Sequence, residues 1–234
     1  MNSLVPLGWN VMFGWASKTK KMNYRAAEIS GAFDGGLEAA SHGLMAGTRV
    51  ATMMGWRGVE SLAKGDMVLT FDNGMKEITD IRRVTICLDA EQTEPALWPV
   101  IVPADALGNK EQLTLLPDQG VMLECEAASD LYGDPFAVVV VRALENVNGI
   151  HRAPPKTRIE LISISFKDDQ VIYAEGGALI LCPSTTTTLD RLIDGTFSEY
   201  EVLGAGEAEQ LVACFELESQ NGTDIGYPVM AAAG

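Results

Sequence analysis

Between Gly43 and Arg83 the chain reads GLMAGTRVATMMGWRGVESLAKGDMVLTFDNGMKEITDIRR, and this stretch constrains the fold more than any other. Short β-branched runs at Arg49 to Thr52, Met67 to Phe71 and Ile78 to Ile86 are separated by Gly55, Gly58, Gly65 and Gly74. That punctuation predicts short strands joined by tight turns in an all-β domain. Asp72-Asn73-Gly74 is a hairpin signal, and Thr79 to Cys87 is expected to supply the returning strand. The pattern sets a fold class and carries no chemistry of its own.

The chemistry comes from a resemblance. The block Gly47-Thr48-Arg49-Val50-Ala51-Thr52, followed from Gly55 by G-W-R-x-V-E-x-L-x-x-G-D-x-V-L-T, resembles the opening of a Hint domain, the autoprocessing module shared by hedgehog proteins and inteins. It looks closest to a divergent bacterial group. The resemblance implies a horseshoe of twisted β ribbons with pseudo-two-fold symmetry over residues 43–183. In active members of the family the opening motif is Cys or Ser, an apolar residue, two variable residues and Gly-Thr. With Gly47-Thr48 as anchor, the nucleophile's position falls on Gly43, which has no side chain to attack with.

Two further segments resemble Hint signatures and depart from them in the same sense. Leu113 to Leu123 is similar to the family's Ser-Pro-x-His segment, whose histidine polarises the scissile amide. Matching Pro117 to the motif's proline puts Leu116 at the serine and Gln119 at the histidine, and an amide does not exchange protons near neutral pH. Arg158 to Phe166, a charged turn at Lys167 to Gln170 and Val171 to Gly177 read as a hairpin resembling the third signature. Related sequences carry histidines at positions that match Ser163 and Asp169. No His-Asn pair closes the chain, so the resemblance excludes protein splicing.

Composition narrows the function classes further. The chain has 234 residues, 47% of them hydrophobic, enough for one substantial core. With 17 basic residues and a net charge of -15 it lacks the cations needed to track phosphates, so nucleic acid is not an expected partner. Cys87, Cys125, Cys182 and Cys214 form no C-x-x-C pair, which disfavours zinc and thioredoxin-like sites, and all four are expected as small buried apolar residues. The acidic pairs Asp168-Asp169 and Asp130/Asp134 resemble no calcium loop and are read as solvated turn carboxylates. No metal or cofactor is expected.

Residues 1–42 form an N-terminal arm and residues 184–234 a C-terminal extension to the Hint-like region. The arm holds Trp9, Phe13 and Trp15, which either dock into a partner or fold back on the protein's own core, and a helix is expected from Asn23 to Ala32. Its basic residues follow the apolar stretch instead of preceding it, so it fits neither a secretory signal nor a membrane span, and membrane insertion is not expected. The compartment is left as cytoplasmic or reached without an ordinary signal. In the extension, a short helix from Leu189 to Ile193 and strands or short helices at Glu199 to Leu203 and Gln210 to Leu217 are expected. The leading expectation is a catalytically inactive Hint-like module with a structural or interaction role, binding a protein partner or copies of itself. The alternative is self-cleavage near Ser41 to Gly43, using the Ser41-His42 pair, although adjacent residues of an extended chain point in opposite directions.

Overall fold

The computed structural model describes residues 42–91, 93–155, 158–184 and 200–220. The described chain opens with β1 (Leu44–Met45) and then builds two hairpins on one plan. In the first, β2 (Arg49–Thr52) and β3 (Gly55–Gly58) close over Met53 and Met54, with the Thr52 hydroxyl donating to the Gly55 carbonyl at 2.7 Å. In the second, β4 (Met67–Thr70) and β5 (Gly74–Glu77) close with the Thr70 hydroxyl donating to the Gly74 carbonyl at 2.8 Å. Strands β6 (Asp80–Cys87), β7 (Val100–Val102), β8 (Leu113–Leu115) and β9 (Gly120–Glu124) follow. Helix α1 (Glu126–Tyr132) leads to β10 (Phe136–Val140), β11 (His151–Arg152), β12 (Arg158–Ser165), β13 (Gln170–Ala174) and β14 (Ala178–Cys182). Helix α2 (Ala205–Gln220) ends the described chain.

Three sheets hold these strands. The largest runs β10-β9-β14-β13-β2-β4-β5, with β3 paired to β2; the others are β1-β12-β6 and β11-β7-β8. Every residue of β13 and β14 is buried, as expected of central strands covered on both faces. The main core gathers Leu44, Ile78, Leu115, Leu123, Ile162 and Phe166 among others, each contributing about 1.5–3 kcal/mol by leaving water. The architecture is mostly β, as the sequence leads one to expect.

Several local expectations are corrected. The strand returning from the Asp72-Asn73-Gly74 turn is β5, whereas the run at Thr79 to Cys87 forms β6 in another sheet, against β12. The first hairpin's strand β3 lies where Gly55 and Gly58 read only as turns. Arg158 to Ala174 is not a hairpin: β12 pairs with β1 and β6, while β13 pairs with β14, β2 and β4. The exposure patterns explain the difference, since β12 keeps exposed residues and β13 has none, so the two cannot be covered alike. Helix α1 ends at Tyr132, and Gly133 is its left-handed C-cap at φ 78°. Of the four cysteines only Cys125 and Cys182 are buried; Cys87 is exposed at the end of β6 and Cys214 is half-buried on α2.

The extension beyond residue 184 closes the fold where it is described. Val202 bridges to Val138 in parallel, and the Leu203 amide donates to the Val138 carbonyl at 2.9 Å, which covers the free edge of β10. Tyr200 is buried over the outer face of the large sheet and its hydroxyl donates to Asp72. Ala208, Leu211, Val212 and Phe215 then recur at helical spacing along α2 and enter the main core. The helices expected at Asn23 to Ala32 and at Leu189 to Ile193, with Trp9, Phe13, Trp15 and Ser41, lie outside the described residues.

Candidate functional site

Gly43 is buried and immediately precedes β1. The antiparallel register of β1 on β12 pairs Leu44 with Ile162 and Met45 with Leu161, so one residue further along, Gly43 comes across from Ser163. On its other side Ser163 pairs with Arg82 of β6. Residues directly opposite in neighbouring strands share a face of the sheet, which makes Gly43, Ser163 and Arg82 one row. Arg82 is turned to Asp80, its Nε donating at 3.1 Å. The row brings two of the sequence-derived positions together and supplies neither a thiol nor an imidazole.

Gln119 belongs to a different row. The pairing of Leu179 with Met122 and Ile180 with Val121, continued by two residues, sets Cys182 across from Gln119, and Cys182 pairs in turn with Gln170. Gln119, Cys182 and Gln170 are all buried. The turn bearing Gln119 is held rigidly: the Val141 amide donates to the Gln119 carbonyl at 2.9 Å and the Arg142 amide to the Pro117 carbonyl at 3.1 Å. Within it, Nε2 of Gln119 donates to the Leu181 carbonyl at 2.8 Å and to the Gly120 carbonyl at 3.2 Å. Both side-chain hydrogens are thereby spent on backbone oxygens. Burial pushes the Cys182 thiol up to about 12, so it is protonated and unreactive at neutral pH.

Asp169 lies in the connection from β12 to β13, between the two rows in sequence. Its Oδ1 accepts from the Ser184 amide at 2.6 Å, which fastens the chain leaving β14 to this turn. That is a structural task for a carboxylate. His42 is half-buried beside Gly43, and His151 is exposed with Nδ1 at 2.8 Å from the Gly149 carbonyl. Among the described residues no group of three His, Cys, Asp or Glu side chains is placed to hold a metal ion.

Two features escape sequence reasoning. Gln170 stands in the Gln119 row although nothing marks a glutamine after a charged turn, and the row exists only through strand pairing. Glu175, at φ 43°, is buried and its carboxylate accepts from the Arg49 amide at 2.6 Å and from Arg49 Nε at 3.1 Å. Glu175, inside the Val171 to Gly177 segment that resembles the third signature, thus ties the end of β13 to the residue after Gly47-Thr48, joining the first and third signatures. The two residues are 126 apart in sequence, so the charge-assisted pair shows only once β13 and β2 are brought together.

The family model of the Hint domain matches residues 42–184, more than half of the chain. The chain belongs to the Hint domain family. Solved structures similar to this Hint domain include the AceL NrdHF class 3 split intein in a splice-inactive variant, at 14% identity and a TM-score of 0.40, covering 62% of this chain and 99% of that one. A bacterial intein-like domain from Clostridium thermocellum matches at 12% identity and a TM-score of 0.41, covering 61% of this chain and 99% of that one. The gp41-1 intein matches at 14% identity and a TM-score of 0.38, covering 61% and 98%. Among curated proteins nothing matches the chain. Among the described residues no helix is long and apolar enough to cross a membrane.

Proposed function

We propose that this Hint domain keeps the processing fold without the processing chemistry and serves as an interaction or structural module, a subunit of a larger assembly. The observation that carries the reading is Gly43, a residue with no attacking atom, set across from Ser163 at the place where the family resemblance puts the nucleophile. Acyl transfer to a side chain requires an activated nucleophile together with a polarised amide. Gln119 adds to the case, because its amide hydrogens are committed to Leu181 and Gly120. Asp169 is committed to Ser184 in the same way.

The interaction half of the reading has its own support. Met53, Met54, Trp56 and Met75 are exposed on the two hairpins β2-β3 and β4-β5, which are neighbours through the β2–β4 pairing. Flexible thioethers and an indole on one surface suit a protein partner. Trp9, Phe13 and Trp15 provide further anchors of the type that dominates interfaces, and the occupant is a protein partner or a second copy of the chain. The reading requires no cofactor, metal, nucleic acid or membrane.

Intact mass of the full chain, incubated with thiols or hydroxylamine, tests the loss of chemistry. A single species at 25.1 kDa is expected, and fragments parted near Ser41 to Gly43 would establish self-cleavage instead. Replacing Trp9, Phe13 and Trp15 together by serine in the full chain is expected to weaken self-association or partner recovery. Unaltered association would remove the docking role from the arm.

A further inference from the structure

Helix α2 lies outside the family match and meets the Hint domain along α1. The seam has a defined contact: Glu218 Oε1 accepts from the Ala127 amide at 2.7 Å, in the first turn of α1. Cys214 precedes Glu218 by four residues, which puts both on one face of α2, about 6 Å apart along the axis. Cys125 precedes Ala127 by two residues and is the N-cap of α1. The hydrogen bond between Glu218 and Ala127 therefore brings both thiols to the same seam. Cys125 is buried there, and Cys214 is half-buried, packed against the core with one side toward solvent.

We propose that Cys125 and Cys214 form a reversible disulfide that latches α2 onto the Hint domain. Electrostatics agree with the proximity: burial pushes the Cys125 thiol up to about 11, and Glu218, Cys214 and Glu124 add to the rise. Cys125 is then a poor first attacker, whereas Cys214 is reachable from solvent. The oxidant is a small disulfide such as oxidised glutathione. The Cys214 thiolate attacks one of its sulfurs, the S–S bond breaks, and one glutathione thiolate leaves. Cys125, on losing its proton, attacks Sγ of Cys214 in the mixed disulfide and releases the second glutathione thiolate. The two protein thiols are oxidised, one disulfide is reduced to two thiols, and the two protons pass to the two leaving thiolates.

The latch closes a long loop and holds in place a helix that buries Leu211 and Phe215. It is independent of whether Gly43 has ended self-cleavage, since neither cysteine lies in the two rows described above.

The test uses the full chain equilibrated with oxidised or reduced glutathione, alkylated under denaturing conditions and digested without reduction. The oxidised sample is expected to weigh about 2 Da less before alkylation and to yield one linked peptide pair containing Cys125 and Cys214, with Cys87 and Cys182 alkylated. Its melting temperature is expected to rise by about 5 °C or more over the reduced sample. Four alkylated cysteines after oxidation, or a linkage through Cys87, would overturn the proposal. The Cys87→Ser variant, altered at an exposed strand end, keeps the result readable: the latch survives in it, and its disappearance would show that Cys87 was the partner.

Discussion

Gly177 cannot carry a methyl group. A Cβ built there would stand 2.2 Å from the Gly108 carbonyl oxygen, a backbone atom with no freedom to withdraw. Gly177→Ala is expected to destabilise the fold by about 3 kcal/mol or more in urea unfolding. Gly206, near the start of α2, meets nothing within 4 Å of such a Cβ, so Gly206→Ala is expected to stabilise by roughly 0.5 kcal/mol through helix propensity. A third expectation concerns Glu124, whose carboxyl is raised above its ordinary 4.5 by burial. Above 4.5 and below the raised value, the folded chain holds a proton that the unfolded chain has released. Stability therefore falls as pH rises through that window, and Glu124→Gln is expected to flatten the profile just above pH 4.5 in denaturant titrations. A stability curve with the same slope in wild type and variant would assign the effect elsewhere. Neither residue advertised itself in the sequence: Gly177 reads as one half of a turn and Glu124 as a polar residue at a strand end.

At the level of elements, α2 is the piece whose weight is easiest to measure. Ala208, Leu211, Val212 and Phe215 form its buried stripe, and Phe215 is fully buried. Phe215→Ala is expected to cost about 3–5 kcal/mol, as for other large aromatic truncations in close-packed cores, read from the shift in urea midpoint at constant slope. The spacing of those four residues was present in the sequence, yet the run from Gln210 to Leu217 left strand and short helix both open. What decided for helix was a surface to bury the stripe against, supplied by α1 and the turns around Val141 to Leu144. The same lesson holds for β12 and β13. Alternation in Arg158 to Phe166 and the run Val171 to Gly177 pointed to two strands, found at Arg158–Ser165 and Gln170–Ala174, but adjacency in sequence suggested a hairpin that the molecule does not make. Period-2 patterning tells which face of a strand is wet and leaves the partner open.

For the molecule as a whole, the family match ends at residue 184 and the core does not. Without residues 185–234, the β10 edge loses its Val202 bridge and the core loses the α2 stripe, exposing apolar surface that the Hint strands cannot cover themselves. A chain ending at Ser184 is expected to melt less cooperatively than the full protein and to bind a hydrophobic dye before its transition; a sharp melt at the full-length temperature would show that the extension is dispensable. The sequence by itself determined the β class, the glycine turns, the extent of the Hint resemblance and the residue types at Gly43, Gln119, Ser163 and Asp169, because turn chemistry, alternation and side-chain inventory are local properties. Tertiary structure alone decided that Gly43 faces Ser163, that Gln119 shares a row with Cys182 and Gln170, and that α2 belongs to the core. Those facts depend on which strands pair across the chain and on what surface a helix finds to cover, and no local pattern encodes a partner that lies outside its own stretch of sequence.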